Sequence, residues 1–153
     1  MTLVVLRRAC LAGSVVWATV IPCAAFLASR SNGTPLGYAF ALSVYAIGHA
    51  ICHQLPLRSF HAWGASLPVC ARCTGIYVGA AVVAMAVMVQ PIAADLAGSR
   101  ARRLLLAALV PTATTLVYEW TTGATPANWV RALAGFPLGA AVAWMIGTLN
   151  PEP

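Results

Sequence analysis

An unbroken apolar run near the start of the chain limits what this sequence can fold into. Residues 9–28 carry no charged side chain, and Arg7, Arg8 and Arg30 flank the run. A helix needs about 20 apolar residues to cross the hydrocarbon core of a bilayer, so the run predicts a membrane-spanning helix. A secretory signal has a shorter apolar core, of about 7–15 residues, followed by a small-residue cleavage site. We therefore expect this first helix to be retained.

Four further apolar runs follow, although the second is short for a span. The chain is 61% hydrophobic and only 8% charged, which lies far from the usage of soluble proteins. We predict an all-α integral membrane helical bundle with about five transmembrane helices, built as a single membrane domain over residues 1–153. The predicted helices cover residues 9–29, 36–53, 73–90, 104–121 and 128–149.

The basic residues fit contact with lipid better than contact with nucleic acid. All nine are arginines, and the formal net charge is +6. They lie at the edges of apolar runs, where arginine side chains meet lipid head groups. No soluble basic face can be assembled from them, which argues against nucleic-acid binding. We expect the lipid bilayer as the partner, and the sequence names no protein partner.

The reactive side chains are concentrated between the second and third predicted helices. Residues 51–79 hold three of the five cysteines and two of the three histidines. Cys70 and Cys73 have the two-residue spacing that lets two thiolates bind one ion, and Cys52 with His53 completes a Cys3His set that zinc accepts in tetrahedral geometry. The pattern predicts a metal site of these four residues, with zinc as the cofactor, in a structural or regulatory role.

One feature of this ligand set is sterically awkward. Neighbouring side chains on a helix diverge by about 100°, so Cys52 and His53 can both bind one ion only if the helix ends there. His49 shares a helix face with both residues, and His61 lies in the connector, so each is a further candidate. His49 is more simply a helix-end residue bonded to the backbone.

The same cysteines allow two other interpretations. Arg72 between Cys70 and Cys73, at the start of a helix, creates surroundings that lower a thiol pKa. These two cysteines could therefore cycle in a membrane thiol-disulfide oxidoreductase, with Cys52 as the exchange partner. A disulfide or metal clip without turnover would use the same atoms, so the sequence leaves open whether the protein is an enzyme. Cys10 and Cys23 lie inside the first apolar run and are interpreted as inert hydrophobic residues.

Further polar residues are expected to join or support the site. Arg58 and Arg72 could bind an anion such as a lipid phosphate, which adds a lipid or small-anion binder or transporter as a third interpretation. The span count places the second and fourth connectors on one membrane face. Glu119, Asn128 and Arg131 should therefore lie on the same side as the Cys/His cluster and support it.

Arg131 also opens a stripe of small residues along the last helix. Such a stripe lets a neighbouring helix approach closely. Arg131 should therefore point into the bundle and pair with Glu119, or else extend to the membrane interface. Positions of the stripe recur every four residues, at Arg131, Gly135, Gly139, Ala143 and Gly147.

The arginines also bear on orientation. With five spans, five arginines share the face of the Cys/His loop and four, including Arg30, lie on the other. If Arg58, Arg72 and Arg131 are set aside as site residues, the opposite face has the excess, four against two. The positive-inside rule then places the Cys/His loop on the non-cytoplasmic side of a bacterial inner, or plasma, membrane.

The cluster belongs to a longer ordered set of residues. The set comprises Cys52-His53-Gln54, Arg58-Ser59-Phe60, Gly64, the run LPVCARCTGIY from Leu67 to Tyr77, Gly79, Pro111, Gly123, Asn128, Arg131, Gly135 and Gly139. In this order the residues resemble, over about residues 45–140, the small prokaryotic membrane proteins of domain of unknown function 2085. The resemblance implies a helical membrane fold and a shared set of positions, and it supplies no activity. The family usually has an Asp where this chain has Thr115, which argues against a mechanism that needs a second carboxylate.

Overall fold

The computed structural model describes residues 2–30, 32–89 and 99–148, and these residues form five helices. The all-α membrane bundle predicted from the sequence is thus confirmed. Among the described residues, four helices are long and apolar enough to cross a membrane, so the chain is a multi-pass membrane protein. The helices are α1 (Thr2–Ala28), α2 (Pro35–Ile51), α3 (Ala71–Val89), α4 (Ser99–Thr122) and α5 (Asn128–Thr148).

Two helices begin five or more residues earlier than the sequence predicts. α1 starts at Thr2 instead of residue 9, and α4 starts at Ser99 instead of residue 104. An apolar run predicts only the part of a helix that lies in lipid, whereas backbone hydrogen bonding continues through polar residues. Arginine is a good helix former, so the Arg7-Arg8 pair and the arginines at 100–103 extend these helices beyond their apolar parts.

The short helix α2 stays at one end of the bundle. It has 17 residues, about 26 Å of helix. Near its start, the Tyr38 hydroxyl donates a hydrogen bond to the carbonyl oxygen of Arg30, just after α1. At its other end, Cys52 packs in a buried cluster with Ile21 and Ala25, within the last two turns of α1. A helix that crossed the bilayer beside α1 would instead end near the first turns of α1.

This position of α2 changes which arginines share a membrane face. The Arg30 guanidinium lies 4.4 Å from the ring centre of Phe26, and Phe26 in turn contacts Trp63 of the Cys/His connector with ring centres 5.3 Å apart. The expectation that Arg30 lies on the face opposite the connector is therefore wrong, because it counted α2 as a full span. Arg7 and Arg8, at the start of α1, lie at the far end of the bundle instead.

The connector between α2 and α3 contains short regular elements. It contains a 3-10 turn, Pro56–Arg58, and a short antiparallel hairpin that pairs His61–Ala62 with Ala65–Ser66. Trp63 and Gly64 form the turn of the hairpin with φ angles of +53° and +82°. Two-residue turns with positive φ at both positions match the twist of paired strands. Glycine adopts positive φ without steric cost, which explains why Gly64 occupies the second turn position.

α3 and α5 make the closest helix contact in the described chain. A Cβ atom added to Gly75 of α3 would lie 2.0 Å from the carbonyl oxygen of Ala132. A Cβ atom on Gly139 of α5 would lie 1.8 Å from the carbonyl oxygen of Ile76. The stripe of small residues thus brings the two backbones into contact, as the sequence predicts. α4 packs on the other side of α5, and α1 packs on α3.

Candidate functional site

Three cysteine side chains converge where α2 ends and α3 begins. Cys52 directly follows α2, Cys70 directly precedes α3, and Cys73 lies in the first turn of α3. Their sulfur atoms all lie within 4.8 Å of one another. The backbone N–H of Cys70 also donates a hydrogen bond to the Cys52 sulfur at 3.2 Å. Cys52 and Cys70, 18 positions apart in the sequence, are therefore joined by a hydrogen bond from the backbone in addition to the proximity of their sulfur atoms.

The end of α2 is fixed to the connector by a side-chain amide. Gln54 donates from Nε2 to the carbonyl oxygens of Tyr45, at 2.7 Å, and Pro68, at 2.6 Å. Gly48 allows this approach, because a Cβ atom there would lie 2.2 Å from the Pro68 oxygen. Gln54 thus positions Cys52, a role that sequence reasoning missed. The available signal was a lone amide next to the Cys-His pair in an apolar region.

The histidines do not join the sulfur cluster. Within the described residues, the group of metal-ligating atoms that lie within 4.8 Å of one another consists of the three cysteines alone. α2 does end at Ile51, as a shared site of Cys52 and His53 requires, but the His53 side chain is exposed and lies outside the cluster. His49 and His61 are exposed as well.

The Cys70 thiol is strongly acidified. A hydrogen bond from the Cys73 thiol is the main cause that lowers the pKa of Cys70 to about 5. A further hydrogen bond with Cys52 and the positive charge of Arg131 act in the same direction, whereas burial opposes them. Because a thiolate is both the nucleophilic and the metal-binding form of cysteine, Cys70 is chemically the most active of the three.

A buried carboxylate surrounded by arginines lies beside the sulfurs. Glu119 Oε1 accepts from Arg72 Nη2 at 2.7 Å and from Arg131 Nε at 3.0 Å, and Arg58 Nη1 lies 3.5 Å from Oε2. The Glu119 side chain is 5% exposed and that of Arg131 is 2% exposed. Arg131 therefore points inward and pairs with Glu119 instead of extending to the membrane interface.

Several neutral groups complete the network around the arginines. Arg72 Nη2 donates to Thr115 Oγ1 at 3.1 Å, and Arg131 Nη1 donates to the carbonyl oxygen of Arg58 at 3.2 Å. The Asn128 amide donates to the carbonyl oxygen of Ser59 at 3.0 Å, which ties α5 to the connector. The role of Thr115 was missed from the sequence, although its position four residues before Glu119 puts both on one face of α4.

The sulfurs and the arginines open into one cavity of about 340 Å³. The structure thus brings the predicted metal ligands and the predicted anion binders to a single composite site, next to the end of α4 and the start of α5. Its chemically active lining consists of Cys52, His53, Arg58, Cys70, Arg72, Cys73 and Arg131.

These positions coincide with a family signature. The sequence model of a family described as "Predicted membrane protein (DUF2085)" matches residues 52–145. The chain belongs to this family. The match begins at Cys52 and extends past Arg131, so all of the composite site lies within the DUF2085 region, and the resemblance recognised in the sequence is confirmed.

Two archaeal proteins are similar in sequence to parts of this DUF2085 protein. An uncharacterised protein of Methanocaldococcus jannaschii is 43% identical over 58 residues, which cover 38% of this chain and 35% of the relative. An uncharacterised protein of Methanothermobacter thermautotrophicus is 60% identical over 30 residues, which cover 20% of this chain and 27% of the relative. The chain therefore matches about a third of the length of these curated relatives. No solved structure matches the chain.

Proposed function

We propose that this protein binds a zinc ion through Cys52, Cys70 and Cys73, in a structural or regulatory role at the membrane surface. The observation that carries the proposal is the convergence of three sulfur atoms within 4.8 Å of one another. In a tetrahedral zinc site with Zn–S bonds of about 2.3 Å, two sulfurs lie about 3.8 Å apart. Contraction by about 1 Å or less would therefore bring these thiols to ligand spacing.

The donor set also fits the chemistry of zinc. Thiolates are soft ligands that select zinc over hard cations such as magnesium or calcium. His53 lines the same cavity and is exposed, so rotation of its side chain would supply the fourth ligand of the Cys3His set. An ion held in this way would join the end of α2 to the start of α3, and its binding energy would add to the stability of the fold.

Metal analysis of the protein purified in detergent tests the proposal. We expect about one zinc ion per chain, measured by elemental mass spectrometry together with a count of free thiols. Cys52→Ser, Cys70→Ser and Cys73→Ser should each lose most of the zinc because each removes one of three sulfur ligands. Cys23→Ser is the matched control, since Cys23 is an exposed residue of α1 outside the sulfur cluster. Metal-free protein with a Cys70–Cys73 disulfide would contradict the proposal.

A second candidate function is thiol-disulfide exchange, supported by the acidified Cys70 thiol at the start of α3. In this reaction the Cys70 thiolate attacks a disulfide of a substrate protein, which forms a mixed disulfide and releases one substrate thiolate. The Cys73 thiolate then attacks the Cys70 sulfur and releases the second substrate thiolate. Two electrons pass to the substrate, and a Cys70–Cys73 disulfide remains.

Trapping separates this second function from zinc binding. Cys73→Ser removes the resolving thiol, so an exchange enzyme would accumulate a mixed disulfide on Cys70 that non-reducing electrophoresis detects. Cys70→Ser is the control, because it lacks the attacking thiolate and should trap nothing. Equal trapping in both variants, or in neither, would count against exchange.

A further inference from the structure

The cavity beside the sulfur cluster carries an excess of positive charge. Three guanidiniums, those of Arg58, Arg72 and Arg131, surround the single carboxylate of Glu119. Glu119 is the only acid among residues 2–30, 32–89 and 99–148. Within the described chain, the group of arginines and carboxylate therefore carries two more positive charges than negative ones.

The sulfurs do not remove this excess. One thiolate at the cluster would leave a single positive charge uncompensated. A zinc ion bound by three thiolates carries one net negative charge, so it would leave the same remainder. The buried Arg72 and Arg131 share one carboxylate, so the remaining positive charge resides on Arg58, which is 41% exposed, lines the cavity and can attract a further anion there in either state of the sulfurs.

The arginines also retain donors for an anion. Arg72 uses Nη2 for both Glu119 and Thr115, whereas its buried Nε has no hydrogen-bond partner among the described residues. The Arg58 side chain is 41% exposed, and its contact with Glu119 is long, at 3.5 Å. Arg58 and Arg72 are both lining residues of the cavity, and the partly exposed Arg58 guanidinium can bind a ligand there without breaking the short bonds of Arg72 and Arg131 to Glu119. Contact with the buried Arg72 Nε would need a shift of that side chain.

The arrangement fits a tetrahedral oxyanion better than a second carboxylate. Guanidinium groups bind phosphate oxygens with paired N–H groups. The three guanidinium groups at this cavity come from three parts of the chain, namely the connector, α3 and α5. A carboxylate offers only two oxygens, whereas a phosphate group offers three or four to separate donors. A volume of about 340 Å³ lies at the lower end for small-molecule sites and holds a phosphate with a small substituent.

We propose that this cavity binds a phosphate group between Arg58, Arg72 and Arg131, whether the group belongs to a free phosphate compound or to a lipid head group. The site lies at the end of the bundle, where the connector meets the membrane surface, so both sources can reach it. The proposal is independent of the metal, since the excess charge is present with or without zinc.

Equilibrium dialysis of the detergent-purified protein against radiolabelled inorganic phosphate tests the binding. We expect saturable binding in the wild type and a loss of about tenfold or more in affinity for Arg58→Gln, because a charge-assisted pair is removed. Arg58→Lys keeps the charge without the fork and should fall between the two. Arg30→Gln is the matched control, since Arg30 lies at the same membrane end but stacks on Phe26 outside the cavity. An equal loss in Arg30→Gln would overturn the site.

A second measurement distinguishes the two sources of phosphate and controls for folding. The protein is held in micelles of a maltoside detergent, which contains no phosphate, with or without added phosphatidic acid or inorganic phosphate, and modification of Arg58 by phenylglyoxal is followed by peptide mass spectrometry. Protection by inorganic phosphate assigns a free anion, and protection by phosphatidic acid alone assigns a lipid head group. Modification of Arg58 that neither ligand slows would overturn the proposal. Retention of zinc by Arg58→Gln would show that the metal site and the phosphate site fail separately.

Discussion

Cys70 and Cys73 share one motif but have different surroundings. Cys70 precedes α3 and receives a hydrogen bond from the Cys73 thiol, which lowers its pKa to about 5. Cys73 lies within the first turn of α3 and acts as the donor. Cys70 is therefore the more nucleophilic of the two at neutral pH, because the thiolate is the reactive form of a cysteine.

The low pKa of Cys70 predicts a distinctive pH dependence. Metal-free protein should react with iodoacetamide at Cys70 at nearly the same rate from pH 6 to pH 8, because the thiol is already ionised above about pH 5. An ordinary thiol, with a pKa of about 8.5, would react roughly tenfold faster with each pH unit over this range. Peptide mass spectrometry after timed alkylation measures the rate.

Removal of the hydrogen-bond donor provides the control. Cys73→Ala deletes the main cause of the acidification, so the alkylation rate of Cys70 should regain a steep rise with pH. A steep rise in the wild type itself, or a flat profile in both proteins, would contradict the assigned role of Cys73.

Arg58 and Arg131 contact the same carboxylate but should contribute very differently to the free energy of unfolding. Arg131 is 2% exposed and Arg58 is 41% exposed, yet both contact Glu119. Arg131→Gln breaks a buried ion pair and should lower the free energy of unfolding by about 3–5 kcal/mol. Arg58→Gln removes a partly solvated pair and should change it by about 0–1 kcal/mol. Denaturant unfolding in detergent micelles, without phosphate, measures both, and equal effects would sink this account.

At the residue scale, the sequence predicted which residues share the site better than it predicted which distant residues bond to each other. Cys70 and Cys73 were predictable as a pair because their spacing along the chain fixes their geometry. Glu119 and Arg131 could be placed near the cluster by counting connectors. The bond between Arg72 and Glu119 was not predictable, because nothing in the pattern of one helix says which face of another helix it meets.

The contact between α3 and α5 shows how elements are held at close range. At Gly75 and Gly139 each glycine lies directly against a backbone carbonyl group of the other helix. Contact between the two backbones therefore takes the place of side-chain packing. The stripe along α5 predicted a close neighbour, but its partner helix was identified only by the fold. In lipid, such close packing is a main source of helix association, because the hydrophobic effect does not drive helices together where no apolar surface is exposed to water.

A pair of glycine substitutions separates packing from helix propensity. Gly139→Ala places a Cβ atom 1.8 Å from the Ile76 oxygen and should lower the free energy of unfolding by about 1–3 kcal/mol or more. Gly13→Ala in α1 meets nothing within 4 Å and should raise it by about 0.5–1 kcal/mol, because alanine suits a helix better than glycine. Thermal unfolding in detergent measures both changes. Destabilisation by both substitutions to the same degree would argue against backbone contact as the cause.

α2 is the element that sequence reasoning described least well. Its apolar composition predicted a span over residues 36–53, and the shortness of that apolar run was the one sign against it. Composition reports that a helix prefers an apolar environment, but it does not report whether that environment is lipid across the whole bilayer or the side of another helix.

For the whole molecule, the position of α2 alters the distribution of charge between the two faces. If Arg58, Arg72 and Arg131 are again set aside, Arg30 is the one arginine left at the end of the bundle with the composite site. The opposite end has five arginines, at positions 7, 8, 100, 102 and 103. The positive-inside rule favours a cytoplasmic location for that end more strongly than the count with five spans did. The location of the composite site outside the cytoplasm stays a prediction.

Cysteine labelling in intact bacterial cells tests the orientation. His61 and Ser99 are exposed at opposite ends of the bundle. In a background without Cys10 and Cys23, His61→Cys should react with a membrane-impermeant maleimide in intact cells, whereas Ser99→Cys should react only after permeabilisation. The background protein without an added cysteine measures labelling of the sulfur cluster. The reverse pattern would place the site in the cytoplasm.

The glycine contact between α3 and α5 has a mechanical consequence for the composite site. It fixes Arg72, Cys73 and Arg131 in one rigid body, while Cys52 and Arg58 belong to a second body made of α2 and the connector, whose helix packs on α1. The composite site lies at the interface between these two bodies. A metal ion shared by Cys52 and Cys73 would add a further link across this interface, beside the hydrogen bonds that Asn128 and Arg131 of α5 already make with the connector.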